Sequence, residues 1–258
     1  MIRQSLFLML AVLVTGCGGS PTTAPKPEPL RIAAASDLQV VMPKLIERFS
    51  AATHVEVVAT FGASGQLAQQ VRQGAPFDVF LSANRKFVAD LVEAKAIDPA
   101  TVRDYAVGVL VLVVRDDLAD TVKSLADLKH ASVKHLAIAN PDTAPYGAAA
   151  KQALERSGLW GVLEPKRVQS ETVRQALQFV QTGNAEAAIV GSAIAKVNGV
   201  HSVAIPRDTY DTIWQSLGVT TTSKRPAEAL AFTRFLLGDE ARGILRDAGF
   251  GLSSDFPE

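Results

Sequence analysis

From Leu30 onward, short apolar runs alternate with segments of helical period, the pattern of βα units built on a largely parallel sheet. Residues 30–35 read as a strand, and 38–49 as a helix with Leu38, Val41, Met42, Leu45 and Phe49 on one face. The spacing then predicts a strand at 54–60, a helix at 66–73, a strand at 78–81 and a helix at 84–93. A long β-rich run without turn residues, 106–114, reads as a strand that passes from one lobe to another. Beyond it the alternation restarts, with helices at 125–129, 147–157 and 171–181 and strands at 136–139, 166–168, 187–190 and 202–205. A second β-rich run, 213–220, reads as the return crossing. Two amphipathic helices, 226–237 and 240–248, are expected to pack on the first lobe. The predicted architecture is α/β and two-lobed: each lobe is a doubly wound mixed sheet with flanking helices, and two crossing strands join them. Lobe 1 takes residues 30–110 and 217–258, and lobe 2 takes 111–216. A ligand crevice is expected where the carboxyl ends of the strands face the gap.

Composition narrows the partners. The chain carries 26 Lys+Arg against 26 Asp+Glu, so its formal charge is zero and it lacks the basic excess that nucleic-acid binding requires. Hydrophobic residues make up 48% of the 258, enough for a sizeable core and too many for a disordered chain. Aromatic residues, at 6%, argue against stacking surfaces for bases or sugars. With one cysteine, no intramolecular disulfide can form.

The position of that cysteine is informative. Arg3 gives a short basic start, Leu6 to Val14 form an apolar run, and Val14-Thr15-Gly16-Cys17 closes it with small residues. The run is too short to span a bilayer, which takes about 20 helical residues. This arrangement is similar to a bacterial lipoprotein signal: residues 1–16 would be removed and Cys17 would carry lipid. The alternative is an ordinary secretory peptide with an incidental cysteine. The rest of 17–29 is polar and Pro-rich and reads as a flexible tether, placing an extracytoplasmic domain near a bacterial membrane.

Four junctions where a strand leads into a helix carry candidate chemistry. Ala35-Ser36-Asp37-Leu38 and Gly62-Ala63-Ser64-Gly65 each place a serine just after a strand of lobe 1. Ala144-Pro145-Tyr146-Gly147 and Ser170-Glu171-Thr172-Val173 open helices of lobe 2. Singly, such serines and threonines are most often helix caps, and the alternative for the glycines is that they only shape turns. Together they would aim neutral N–H and O–H donors at one point, which suits a fully ionised small dianion. Asp37 is out of place beside an anion, so its side chain is expected to point away and cap the helix starting at Leu38.

At these residues the sequence resembles the molybdate-binding proteins of ABC transporters. The matching segments are Ala33-Ala34-Ala35-Ser36-Asp37-Leu38, Gly62-Ala63-Ser64-Gly65, and Gly74-Ala75-Pro76-Phe77-Asp78-Val79-Phe80-Leu81-Ser82-Ala83. They continue with Asn140-Pro141, Ala144-Pro145-Tyr146-Gly147, Gln178-Phe179-Val180 and Gly183-Asn184-Ala185. The resemblance implies a periplasmic-binding-protein fold whose lobes close on one tetrahedral oxyanion, molybdate or tungstate, for delivery to an ABC permease. It implies that Ser36 and Ser64 each give a hydroxyl and an amide, and that Tyr146 and Val173 give amides. Some members add a tyrosine after the strand that here ends at Val190; this chain has Gly191-Ser192, and Ser192 is the candidate to replace it. The resemblance further implies a monomer without catalysis or cofactor, in which molybdenum enters only as the oxyanion and has no direct protein ligand.

Other chemistries find less support. The alternatives are a binder of sulfate or phosphate, or a secreted hydrolase using Ser64. Gly62-Ala63-Ser64-Gly65 lacks the nucleophile-elbow spacing, because the second glycine comes one residue early. His54, His130, His135 and His201 include no pair at helical metal-ligand spacing, and no phosphate-binding glycine motif is present. Trp160 and Trp214 read as core or hinge packing.

Overall fold

Two five-stranded sheets organise the chain in a computed structural model, which describes residues 28–252. The signal segment 1–16, Cys17 and nearly all of the tether lie outside the described residues. The first sheet contains β1 (Leu30–Ala35), β2 (Val57–Gly62), β3 (Val79–Ser82), β4 (Arg103–Gly108) and a late strand, Ile213–Val219. The second contains β5 (Leu110–Arg115), β6 (Leu136–Ala139), β7 (Arg167–Ser170), β8 (Ala187–Gly191) and β9 (Val200–Ala204); the late strand is β10.

Both sheets have the same plan. In the first the order is β2-β1-β3-β10-β4, with β1, β2 and β3 parallel and β10 antiparallel to both its neighbours. In the second the order is β7-β6-β8-β5-β9, with β6, β7 and β8 parallel and β5 antiparallel to both its neighbours. Helices cover the faces: α1 (Met42–Thr53), α2 (Ser64–Arg72), α3 (Arg85–Glu93), α6 (Pro226–Leu236) and α7 (Asp239–Ala248) on the first, α4 (Pro145–Arg156) and α5 (Val173–Gln181) on the second. Because β1 is covered on both sides, its side chains alternate between two cores: Ile32 and Ala34 join one and Ala33 the other. The terminal helices do pack on the first lobe, with Ala229, Phe232, Leu236 and Leu245 in the same core as Ile32 and Phe49.

Three local outcomes differ from the sequence reading. The expected helix 38–49 is broken into a 3-10 turn, Ser36–Gln39, followed by α1 from Met42. Pro43 explains the break, since it has no N–H to bond the carbonyl four residues back and is tolerated only in a first turn. The expected apolar face survives: Leu38, Val41, Met42, Leu45 and Phe49 are all buried. The run 106–114 is two strands rather than one, changing sheets at Val109. The run 213–220 is β10, which lies wholly inside the first sheet, so the return crossing precedes it. Gly108 pairs with Ile213, which sets the outgoing and returning chains side by side at the hinge. Among the described residues, no helix is long and apolar enough to cross a membrane.

Candidate functional site

Each lobe presents the carboxyl ends of its parallel strands to the other, and the crevice forms there. Ala35, Ser36 and Asp37 line it from the end of β1, Gly62, Ala63 and Ser64 from the end of β2, and Ala83 from the segment after β3. Lobe 2 contributes Ala144, Pro145 and Tyr146 before and within the first turn of α4, and Val173 from the first turn of α5. The structure thus brings Ser36, Ser64, Tyr146 and Val173 together around one space, and no Lys, Arg or His lines it.

Local chemistry leaves donors facing that space. The first amides of a helix have no intrahelical acceptor, and Ser64, Tyr146 and Val173 stand at the starts of α2, α4 and α5. The Ser64 hydroxyl accepts from the Ala83 amide at 3.1 Å, leaving its own proton free to donate elsewhere. Among the described residues, no protein group engages the Ser36 hydroxyl. At α5, Thr172 is the N-cap and accepts from the Gln175 amide, while the Ser170 hydroxyl lies against the Ile138 and Thr172 carbonyls. Those two side chains are structural; of the Ser170-Glu171-Thr172-Val173 segment, only Val173 lines the crevice.

Direct bonds between the lobes show that this is a closed arrangement. The Gly65 amide donates to the Thr143 carbonyl at 2.9 Å, and Gln66 Nε2 donates to Glu171 Oε1 at 3.0 Å. Deeper in the hinge, Gln215 Nε2 donates to Tyr146 Oη at 3.3 Å and to Asp37 Oδ2 at 2.7 Å. The Tyr105 hydroxyl donates to Gln215 Oε1 at 3.0 Å, which fixes the amide orientation.

The Tyr146 ring explains Gly191. A Cβ at Gly191 would stand 2.8 Å from that ring, and one at Gly108 would stand 2.4 Å from its hydroxyl. The phenol therefore runs from lobe 2 into a slot kept open by two glycines. Ser192, the candidate substitute for a tyrosine at this strand end, lies outside the crevice lining: its hydroxyl donates to the Gly249 carbonyl at 2.5 Å. The Gly191-Ser192 turn thus holds the C-terminal segment, a role the strand-end position alone does not reveal.

Asp37 corrects another expectation. It neither turns away from the crevice nor caps the turn: it lines that space, is 1% exposed and accepts from Gln215. Burial pushes its carboxyl up to about 6, against the opposing influence of Tyr146, Gln215 and nearby amides. The Tyr146 hydroxyl is near enough to act on the carboxyl, yet no group among the described residues reaches Oδ1 with hydrogen-bond geometry. Burial raises the Tyr146 and Tyr105 hydroxyls well above the ordinary phenol value, and the Asp37 charge adds to the rise. Thr143 Oγ1, just before α4, is the other buried side-chain oxygen without a partner among the described residues. Neither Gln215 nor Thr143 carries a local sequence signal.

The tryptophans and histidines fall elsewhere. Arg85 stacks on Trp214 at 3.8 Å and Arg167 on Trp160 at 3.6 Å. His130 bonds Ser132, His135 faces Glu186, and among the described residues no cluster of His, Cys, Asp and Glu could hold a metal ion.

Comparison with known proteins accords with this geometry. The family model of bacterial extracellular solute-binding proteins matches residues 30–251. The molybdate-binding protein ModA of Azotobacter vinelandii is 34% identical over 254 residues, covering 96% of this chain and 100% of that protein. The ModA of Rhodobacter capsulatus is 39% identical over 203 residues, covering 78% and 80%. A Bacillus subtilis protein named putative ABC transporter substrate-binding lipoprotein YvgL is 31% identical over 258 residues, covering 96% and 98%. The solved structure of the Azotobacter vinelandii periplasmic molybdate-binding protein superposes with a TM-score of 0.82 at 29% identity, covering 89% of this chain and 100% of that one. Two sheets of one plan, a crevice of neutral donors between them and relatives that span the whole length lead to one conclusion: the chain belongs to the ModA family of bacterial extracellular solute-binding proteins.

Proposed function

We propose that this protein captures molybdate, and tungstate with it, outside the cytoplasm and delivers it to an ABC permease when its two lobes close. The observation that carries the reading is the donor set: Ser36, Ser64, Tyr146 and Val173 converge from both lobes on a crevice that no cation lines. A tetrahedral dianion has acceptor oxygens and no proton that needs an acceptor, so hydroxyls and helix-start amides match it. Hydrogen bonds to an ionised partner contribute about 1.5–3 kcal/mol each, so roughly six of them offset ordering and association costs and still reach micromolar binding.

No covalent step belongs to this function. In support, no histidine lines the crevice, and the Ser64 hydroxyl is held by the Ala83 amide rather than by a base. The protein works as a monomer and without a resident cofactor, with molybdenum held only through its oxygens. Cys17 carries the lipid that tethers the domain; the apolar run Leu6 to Val14, closed by Thr15-Gly16-Cys17, and the name of the Bacillus subtilis relative support this.

Equilibrium titration against molybdate, tungstate, sulfate and phosphate tests the reading. Molybdate and tungstate are expected to bind one per chain with similar micromolar or better affinity, well ahead of the other two. Sulfate or phosphate binding in their place would turn the assignment to another oxyanion.

A further inference from the structure

Asp37 places a carboxylate in the wall of the crevice, and no Lys, Arg or His among the described residues lines that space with it. The side chain adjoins Ser36 in sequence and lines the same space, and it is 1% exposed. Oδ2 accepts from Gln215, while Oδ1 is buried and has no hydrogen-bond partner among the described residues. The titratable groups that face it are phenols: Tyr146 from α4 and Tyr105 from β4. Gln215 from β10 is neutral. The turn Ser192–Ile194, packed on the same 3-10 turn, carries no charge. On α5, Arg174 turns to Gln181 at the surface, and on α1 Lys44, Glu47 and Arg48 are exposed. On β1, which leads into that turn, Arg31 is exposed at the far end of the strand, and among the described residues no Lys, Arg or His lines the crevice.

A dianion closed into this space would meet a second buried negative charge. Like charges at a shared low-dielectric site disfavour double ionisation, and the weaker acid yields by taking a proton. Molybdate is the anion of a strong enough acid to stay ionised at neutral pH, so the carboxylate is the group that changes. We infer that capture of the dianion is coupled to uptake of one proton by Asp37, which makes Asp37 a further site residue. The inference rests on the oxyanion reading above. The proton comes from solvent and is placed on Oδ1, the oxygen without a partner; the complex then carries the charge of the dianion alone. The elevation that burial already gives the Asp37 carboxyl in the absence of anion puts this exchange within reach of neutral pH.

The linkage has a definite sign. A group whose proton affinity is higher in the complex than in the free protein makes binding tightest at low pH. Affinity falls as pH rises through the interval between the two values. Calorimetric titration of the purified protein with sodium molybdate at about pH 7.5, in HEPES and in Tris, is expected to show uptake of close to one proton per anion. Apparent affinity should fall by about tenfold per pH unit between about pH 7 and 8. Asp37→Asn, the same shape without the titration, is expected to bind molybdate with no buffer dependence and a flat pH profile. Intact binding by the natural chain with identical heats in both buffers would overturn the inference, as would an unchanged proton count in Asp37→Asn. Absence of molybdate binding at every pH would overturn the oxyanion reading itself, and this inference with it.

Discussion

Replacing Gly147 by alanine should weaken oxyanion binding by tenfold or more and lower the unfolding free energy by about 1–3 kcal/mol. The cause is a contact of backbone with backbone. Gly147 lies in the first turn of α4, and a Cβ there would stand 2.3 Å from the Ala139 carbonyl oxygen and 2.7 Å from its carbon. Neither atom is the flexible end of a side chain, so the helix start must move away from β6. The amide and ring of Tyr146 ride on that same turn, and the crevice opens on the lobe 2 side. Calorimetric affinity and a denaturant midpoint read the two effects separately. Unchanged values of both would mean that the α4 start tolerates displacement and does not set the site.

Ser64→Ala should act through two different bonds. Loss of the hydroxyl removes one donor to an ionised ligand, about 1.5–3 kcal/mol or roughly ten- to a hundredfold in affinity. It also leaves the Ala83 amide, now bonded to Ser64 Oγ, without an acceptor in a buried place. An orphaned buried donor costs about 1–3 kcal/mol, so this variant should lose stability as well as affinity. Ser36→Ala is the internal contrast. Its hydroxyl holds no other part of the protein among the described residues, so affinity should fall and stability should not. Parallel titration and thermal unfolding of the two variants check this; equal stability losses would refute the separate roles.

Periodicity and turn residues made most of the fold legible, and the places they failed have physical causes. The strand run across Val109 stays apolar because both sheets bury it: Tyr105, Ala106 and Val107 are as covered as Leu110 to Val114. A hydrophobic pattern records burial and is blind to which sheet does the burying. The same holds for β10, whose buried residues could serve a crossing or a central strand equally well. Pro43 was a readable break in the helix, yet the apolar spacing from Leu38 to Phe49 continues across it because the 3-10 turn packs on the same core.

The site divides in the same way. That Ser36, Ser64, Tyr146 and Val173 line one crevice was visible because each follows a strand and opens a turn or helix, which is a local signature. Gln215 and the hinge contacts of Asp37 were not, because they depend on pairing across 178 residues of chain. Gly191 was read as a missing tyrosine. The structure gives it a positive reason, since the Tyr146 ring occupies the space a side chain there would need. Ser192 does not line the crevice, because its hydroxyl reaches the C-terminal segment instead.

The most direct measurement is a crystal structure of the protein grown with tungstate, with anomalous data at a tungsten absorption edge. A single strong peak is expected in the crevice, with the oxygens around it within hydrogen-bond reach of the Ser36 and Ser64 hydroxyls and the Tyr146 and Val173 amides. A peak elsewhere on the molecule, or an empty crevice at saturating tungstate, would contradict it.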